Sequence, residues 1–218
     1  MVVFFLFDII VWIALGPNPV NAESWFTLLQ SKKLIGLSLL SFPTHIGMIL
    51  YYLTFFGLYS ILKQANEAYA GLAAIFSFVG LAIVIGMNMA YPIAYLSNQY
   101  AAATTESQKI LILAAGEAKI ASANTGMNMG GLFVEIAAVI FSLLMLRSNV
   151  FGKMTAYLGI MGHGLDLTRI IMILAFLPEG IGAILLMIGG LPQLIWLILV
   201  GRKFMQLGLS KSVDSQTI

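Results

Sequence analysis

From Leu34 to Leu62 the chain carries no Asp, Glu, Lys or Arg, and Ala70 to Ser97 repeats the pattern. An α-helix rises about 1.5 Å per residue, so about 20 apolar residues cross the roughly 30 Å hydrocarbon core of a bilayer. Helices satisfy their own backbone groups there, which open strands cannot do. Six stretches meet or approach this requirement: 1–16, 34–62, 70–97, 128–146, 154–176 and 181–200. The first is short and interrupted by Asp8. The expectation is an all-α, polytopic transmembrane helix bundle of about six spans, with 1–218 forming a single transmembrane domain.

Composition closes the other routes. Hydrophobic residues make up 60% of the chain and charged residues 9%, against about 25% charged in soluble domains. Such a chain is too apolar for disorder and lacks the Gly-X-Y period of a fibre. Its formal net charge of +2 and its lack of a basic stripe exclude nucleic acid as a partner. With no cysteine, disulfides, iron–sulfur clusters and thiolate zinc sites are excluded too.

Val20-Asn21-Ala22 has the small residues of a signal-peptidase site. A signal peptide opens on a basic region, however, and none precedes this run, so an uncleaved span is preferred to a signal over 1–22. Six spans put both termini on one side, with Lys63, Arg147, Lys153, Arg202, Lys203 and Lys211. Lys32, Lys33, Lys109 and Lys119 would face the other side. The bias places the termini in the cytoplasm.

The connections add detail. Leu177-Pro178-Glu179-Gly180 reads as a helix breaker, and 147–153 as a short turn. Within the long connection 98–127, Thr105-Glu106-Ser107-Gln108 reads as a capping box that opens a helix over about 106–122. That helix is apolar nearly all round, so it packs on the bundle or dips into the interface. Gly-Met-Asn-Met occurs at 86–89 and at 126–129, which is too short to mark a duplication. The tail from Leu209 to Ile218 is polar and expected to be disordered.

Ionisable groups inside a membrane cost roughly 2.5–3.5 kcal/mol each, so they point to function. Counting inward along each span, Asp8, His45 and Asp166 fall near mid-membrane. Asn88, Glu135 and Arg169 fall toward the side opposite the termini, and Gln193 toward the terminal side. With His163 they form one polar belt. Such a belt fits a hydrated cavity between helices or interhelical hydrogen-bond glue. Asp166 and Arg169, three apart, share a helix face as a local pair or as a binding pair. Glu135, if protonated, would donate to a neighbouring group. Fully ionised, three carboxyls and one guanidinium would leave the belt at −2, which calls for a proton, a cation or water.

His45 and His163 lie on different spans, where two facing histidines could clamp a haem. Asp166 follows His163 by three residues, but zinc needs further ligands. Pro43, Pro92 and Pro192 interrupt spans, as in broken transporter helices or in structural kinks. Gly126, Gly130, Gly159, Gly162 and Gly164 suit close helix packing. No Walker loop, nucleophile elbow or His-Glu-x-x-His helix occurs, so no catalytic residue, metal site or cofactor is assigned.

Several words of the chain resemble a known family: 98–105 (NQYAAATT), 113–118 (LAAGEA), 145–153 (MLRSNVFGK), 156–160 (AYLGI) and 195–202 (IWLILVGR). The family is a set of uncharacterised six-span prokaryotic membrane proteins catalogued only as a domain of unknown function. The resemblance covers about residues 30–208. It implies a multi-pass protein of the prokaryotic plasma membrane and carries over no functional residue.

The leading expectation is a proton- or cation-linked carrier of a small solute, with the lipid bilayer and that solute or ion as its partners. The alternatives are a non-catalytic membrane sensor or assembly component, and a membrane haem or metal protein.

Overall fold

The computed structural model describes residues 2–16, 18–40, 42–175 and 179–214. Among them the chain forms nine helices and no strand. In order these are α1 (Val2–Leu15), α2 (Ala22–Ser31), α3 (Lys33–Leu39), α4 (Phe42–Leu62), α5 (Glu67–Gly86), α6 (Ala90–Ala102), α7 (Glu106–Arg147), α8 (Lys153–Leu174) and α9 (Glu179–Asp214). Four helical stretches are long and apolar enough to cross a bilayer: Glu67–Ala102, Glu106–Arg147, Lys153–Leu174 and Ile184–Leu209. A shorter apolar helix, Gly47–Leu62, lies within α4. Large apolar side chains also face outward, among them Leu53, Ile75 and Met187. Water penalises such a surface and lipid does not. The chain is an integral membrane protein with an all-α, helix-bundle fold.

Its contacts divide it into two compact units, Val3–Leu50 with Ala82–Met127, and Tyr51–Leu81 with the chain from Asn128 onward. In the first unit α2 is the organiser. Ala22, Trp25, Phe26 and Leu29 recur at the i, i+3, i+4, i+7 spacing that places them on one face, and all four are buried. They pack with Leu39, Leu40, Ala90 and Ile93. Asn21 caps α2: its Oδ1 accepts the Ser24 N–H at 2.9 Å. Glu117 Oε1 accepts the Ala22 N–H at 2.7 Å, a charged acceptor at the positive end of a helix. Ser97 Oγ donates to Phe26 O at 3.1 Å and accepts from Gln30 Nε2 at 2.9 Å.

Three departures from the sequence expectations have physical causes. The stretch 70–97 is not one helix; it breaks at 87–89, between α5 and α6. Pro92 cannot donate to the Asn88 carbonyl, and Asn88 Oδ1 instead accepts the Ala90 N–H at 2.9 Å. The helix at 106 does not end near 122. It runs on through Asn124, Thr125 and Gly126 to Arg147, because small and polar residues weaken a helix without removing its hydrogen bonds. Thr105 does cap it, accepting the Gln108 N–H at 3.3 Å, while Gln108 Oε1 takes the Thr104 N–H. Finally, α9 continues through 209–214 to Asp214, with no proline after Pro192 to stop it. The breaker expected at 177–180 falls mostly outside the described residues.

In the second unit glycines set the spacing. A Cβ on Gly80 would stand 2.6 Å from Gly130 O, so α5 and α7 meet backbone to backbone. Gly57 of α4 lies under the Phe204 ring of α9, and Phe55 stacks on Phe141 with centroids 5.9 Å apart. On α8 and α9, a Cβ on Gly162 would stand 2.8 Å from Gln193 N, and one on Gly189 would stand 3.2 Å from Gly162 O.

Candidate functional site

The second unit gathers a polar cluster from three helices. On α8 the buried positions Thr155, Ala156, Gly159, Gly162, His163, Asp166 and Ile170 follow the three-four spacing of one helix face. On α7 the buried face contains Glu135, Ala138, Ser142 and Met145. The α8–α9 contact at Gly162 and Gly189 brings Gln193 and Trp196 against the same place. Its backbone closeness is what allows polar side chains of modest length to meet.

Glu135 is the hub. Its Oε2 lies 2.7 Å from His163 Nδ1, with both side chains about nine-tenths buried. Gln193 Nε2 points at the same oxygen from 3.5 Å and donates to Gly162 O at 3.2 Å. Gln193 therefore ties the helix contact to the acid. Three residues beyond His163, Asp166 Oδ1 accepts from Arg169 Nε. Asp166, Arg169 and the Tyr51 phenol of α4 all lie within electrostatic range of Glu135. The His163 ring stands nearly perpendicular to the Trp196 indole, 82° between planes and 4.6 Å between centroids.

Of the residues singled out from sequence, the fold brings Glu135, His163 and Gln193 into contact and sets the Asp166–Arg169 pair beside them. Asn88 belongs to the first unit, where its Oδ1 accepts the Ala90 N–H just ahead of α6. The side chains of Asp8, His45 and Pro43 lie outside the described residues, so the facing-histidine arrangement does too. Among the described residues no three His, Asp or Glu side chains cluster as a metal site would require. Pro192 sits inside α9 next to Gln193, and without an N–H it cannot donate to Ile188 O one turn earlier. Sequence reasoning missed Ser142 and Trp196. The only available signal was the i+7 spacing of Ser142 from Glu135, which puts both on one side of α7.

Chemically, the cluster holds two carboxyls, one guanidinium and one imidazole in apolar surroundings. A proton can sit on either side of the Glu135–His163 contact, and each position leaves a hydrogen bond intact.

A family model described as Domain of unknown function (DUF4386) matches residues 2–201. No curated protein and no solved structure matches the chain.

Proposed function

Because the chain belongs to the DUF4386 family, whose description assigns no activity, we propose a function from the site alone: a proton-linked carrier of a small polar solute. The Glu135–His163 contact supports this most directly. Buried ionisable groups are expensive in a membrane and persist where they serve a pathway or a relay. A carboxyl bonded to an imidazole can load and release a proton with little rearrangement. Asp166 and Arg169 supply a nearby acceptor and donor for a solute bearing both kinds of group. In this reading six helices cross the plasma membrane of a prokaryote, α1 and α4 being the two shortest crossings, and the termini face the cytoplasm.

The test is thermal unfolding of the purified protein across pH, cations and a panel of small metabolites, beside Glu135→Gln and Asp166→Asn. A solute at 100 times its Kd stabilises the bound protein by about 2.7 kcal/mol. The expected result is a solute that raises Tm in the wild type and not in Asp166→Asn. A flat response to every solute, cation and pH in all three proteins would sink the carrier reading.

A further inference from the structure

Three buried polar atoms in the second unit have no hydrogen-bond partner among the described residues: Ser142 Oγ, His163 Nε2 and Trp196 Nε1. They come from α7, α8 and α9, and their side chains adjoin. The point where a Gly159 Cβ would stand lies 2.1 Å from Ser142 Oγ and 2.5 Å from Trp196 Nε1. His163 is one turn further along the same face of α8, with its ring against the Trp196 indole. Gly159 thus lies directly against Ser142 Oγ and Trp196 Nε1, where any side chain would collide with both. Leaving a buried polar group unpaired costs about 1–3 kcal/mol, so three unpaired atoms on adjoining side chains point to a shared partner.

We propose that Ser142 Oγ, His163 Nε2 and Trp196 Nε1 bind one water molecule, and that this water exchanges protons with Glu135 through His163. The donor set selects the occupant. Trp196 Nε1 only donates, so the occupant must accept there. Ser142 does either. His163 Nε2 changes role with Glu135: when Glu135 is protonated its O–H serves Nδ1 and the ring carries its proton on Nε2. When Glu135 is ionised, Nδ1–H serves the carboxylate and Nε2 accepts. A bare anion fits only the first state and a cation lacking an acceptor fits neither. Water fits both, and three partners are typical of a buried water.

The transfer balances. The Glu135 O–H bond breaks as Nδ1–H forms, and Nε2–H breaks as its proton joins the water oxygen. The water then returns one of its other protons to Nε2 as the Nδ1 proton goes back to Glu135, so carboxyl, imidazole and water all end neutral and one proton has been exchanged between them. The charged or titratable groups around this path are Tyr51 from α4 and Asp166 and Arg169 from α8; α9 contributes the neutral Gln193. The relay half of the proposal rests on the proton-linked reading above, while the binding half stands without it.

Ultraviolet resonance Raman spectra of the full-length protein in lipid nanodiscs test it, since the indole N–H marker separates bonded from free tryptophan. Subtracting Trp196→Phe isolates Trp196 from Trp12 and Trp25. The expected result is a hydrogen-bonded Trp196 in the wild type, shifting to the free position in Ser142→Val, whose methyl groups take the water's place. A free Trp196 in the wild type overturns the proposal whatever the variant does. So does a bonded marker that appears only when chloride or formate is added, which would make the occupant a small anion. The relay is read in infrared spectra as the carboxyl band that Glu135→Gln removes. Its proton should exchange with deuterium at least tenfold more slowly in Ser142→Val, and equal rates would overturn the relay. None of these readings involves transport, so failure of the carrier reading leaves them interpretable.

Discussion

Glu135 Oε2 and His163 Nδ1 sit 2.7 Å apart on α7 and α8, 28 residues apart in sequence. Each is the main polar partner of the other in apolar surroundings, so neither can be removed quietly. Glu135→Ala strands His163 Nδ1 and should cost about 1–3 kcal/mol. Glu135→Gln keeps an acceptor and should cost less. A double-mutant cycle with His163→Asn should return a coupling of at least about 1 kcal/mol by denaturant unfolding in detergent. A coupling of zero would mean the two side chains do not bond.

Asp166 and Arg169 make a different prediction. Removing either charge alone leaves its partner uncompensated, as in Asp166→Leu or Arg169→Leu, and buried pairs broken this way lose up to about 3–5 kcal/mol. Their side chains are 13% and 19% exposed, so the lower end or less is expected here. Removing both should recover most of the loss. If the double variant proves as unstable as the worse single one, the pair is stabilising in itself.

The glycines of α8 separate packing from flexibility. Gly162→Ala would drive a Cβ to 2.8 Å from Gln193 N and 3.1 Å from Gly189 O, both backbone atoms. The expected loss is about 1–3 kcal/mol. Gly164, two residues on in the same helix, has nothing within 4 Å of such a Cβ, so Gly164→Ala should gain about 0.5–1 kcal/mol from helix propensity. Thermal melts of the two variants should therefore move in opposite directions.

In the first unit, Glu117 accepts the Ala22 N–H at the start of α2. Glu117→Ala should cost about 1–2 kcal/mol, as losing a helix cap does. The loss should be local. Amide hydrogen exchange should accelerate over Ala22 to Phe26 and stay unchanged over α8. Uniform acceleration across both units would show that Glu117 supports the whole chain.

The apolar runs announced the helices because length and apolarity alone decide what survives in a bilayer. The polar cluster was half legible. Glu135, His163, Asp166, Arg169 and Gln193 stood out by being costly where they are, whatever they touch. Asn88 stood out equally and bonds the Ala90 backbone, since a short polar side chain before Ala90 and Pro92 can satisfy backbone groups locally, and depth counting does not separate that from a site. Trp196 and Ser142 were invisible for the opposite reason. An indole and a hydroxyl in an apolar run look like filler until the fold shows their polar atoms meeting over Gly159. The ten-residue α2 is too short to register in a window of about 20 residues, although Ala22, Trp25, Phe26 and Leu29 spell out its buried face. Composition also hides why the chain breaks after Gly86 while α7 and α9 run on: Pro92 removes a hydrogen bond where Asn88 offers the backbone another partner, Pro192 removes one without ending α9, and the asparagine, threonine and glycine of α7 only weaken theirs.

The contact between Gly162 and the backbone of α9 carries no charge, yet Gln193 reaches both Gly162 O and Glu135 from that contact. A blind screen for inactive variants would therefore score position 162 as highly as position 135. Inactivity alone would not distinguish a residue that handles the proton, as proposed for Glu135, from the residue that merely lets its neighbours stand close enough. Separating them takes a graded series at each position: at 135 the outcome should follow the chemistry of the side chain, and at 162 only its volume.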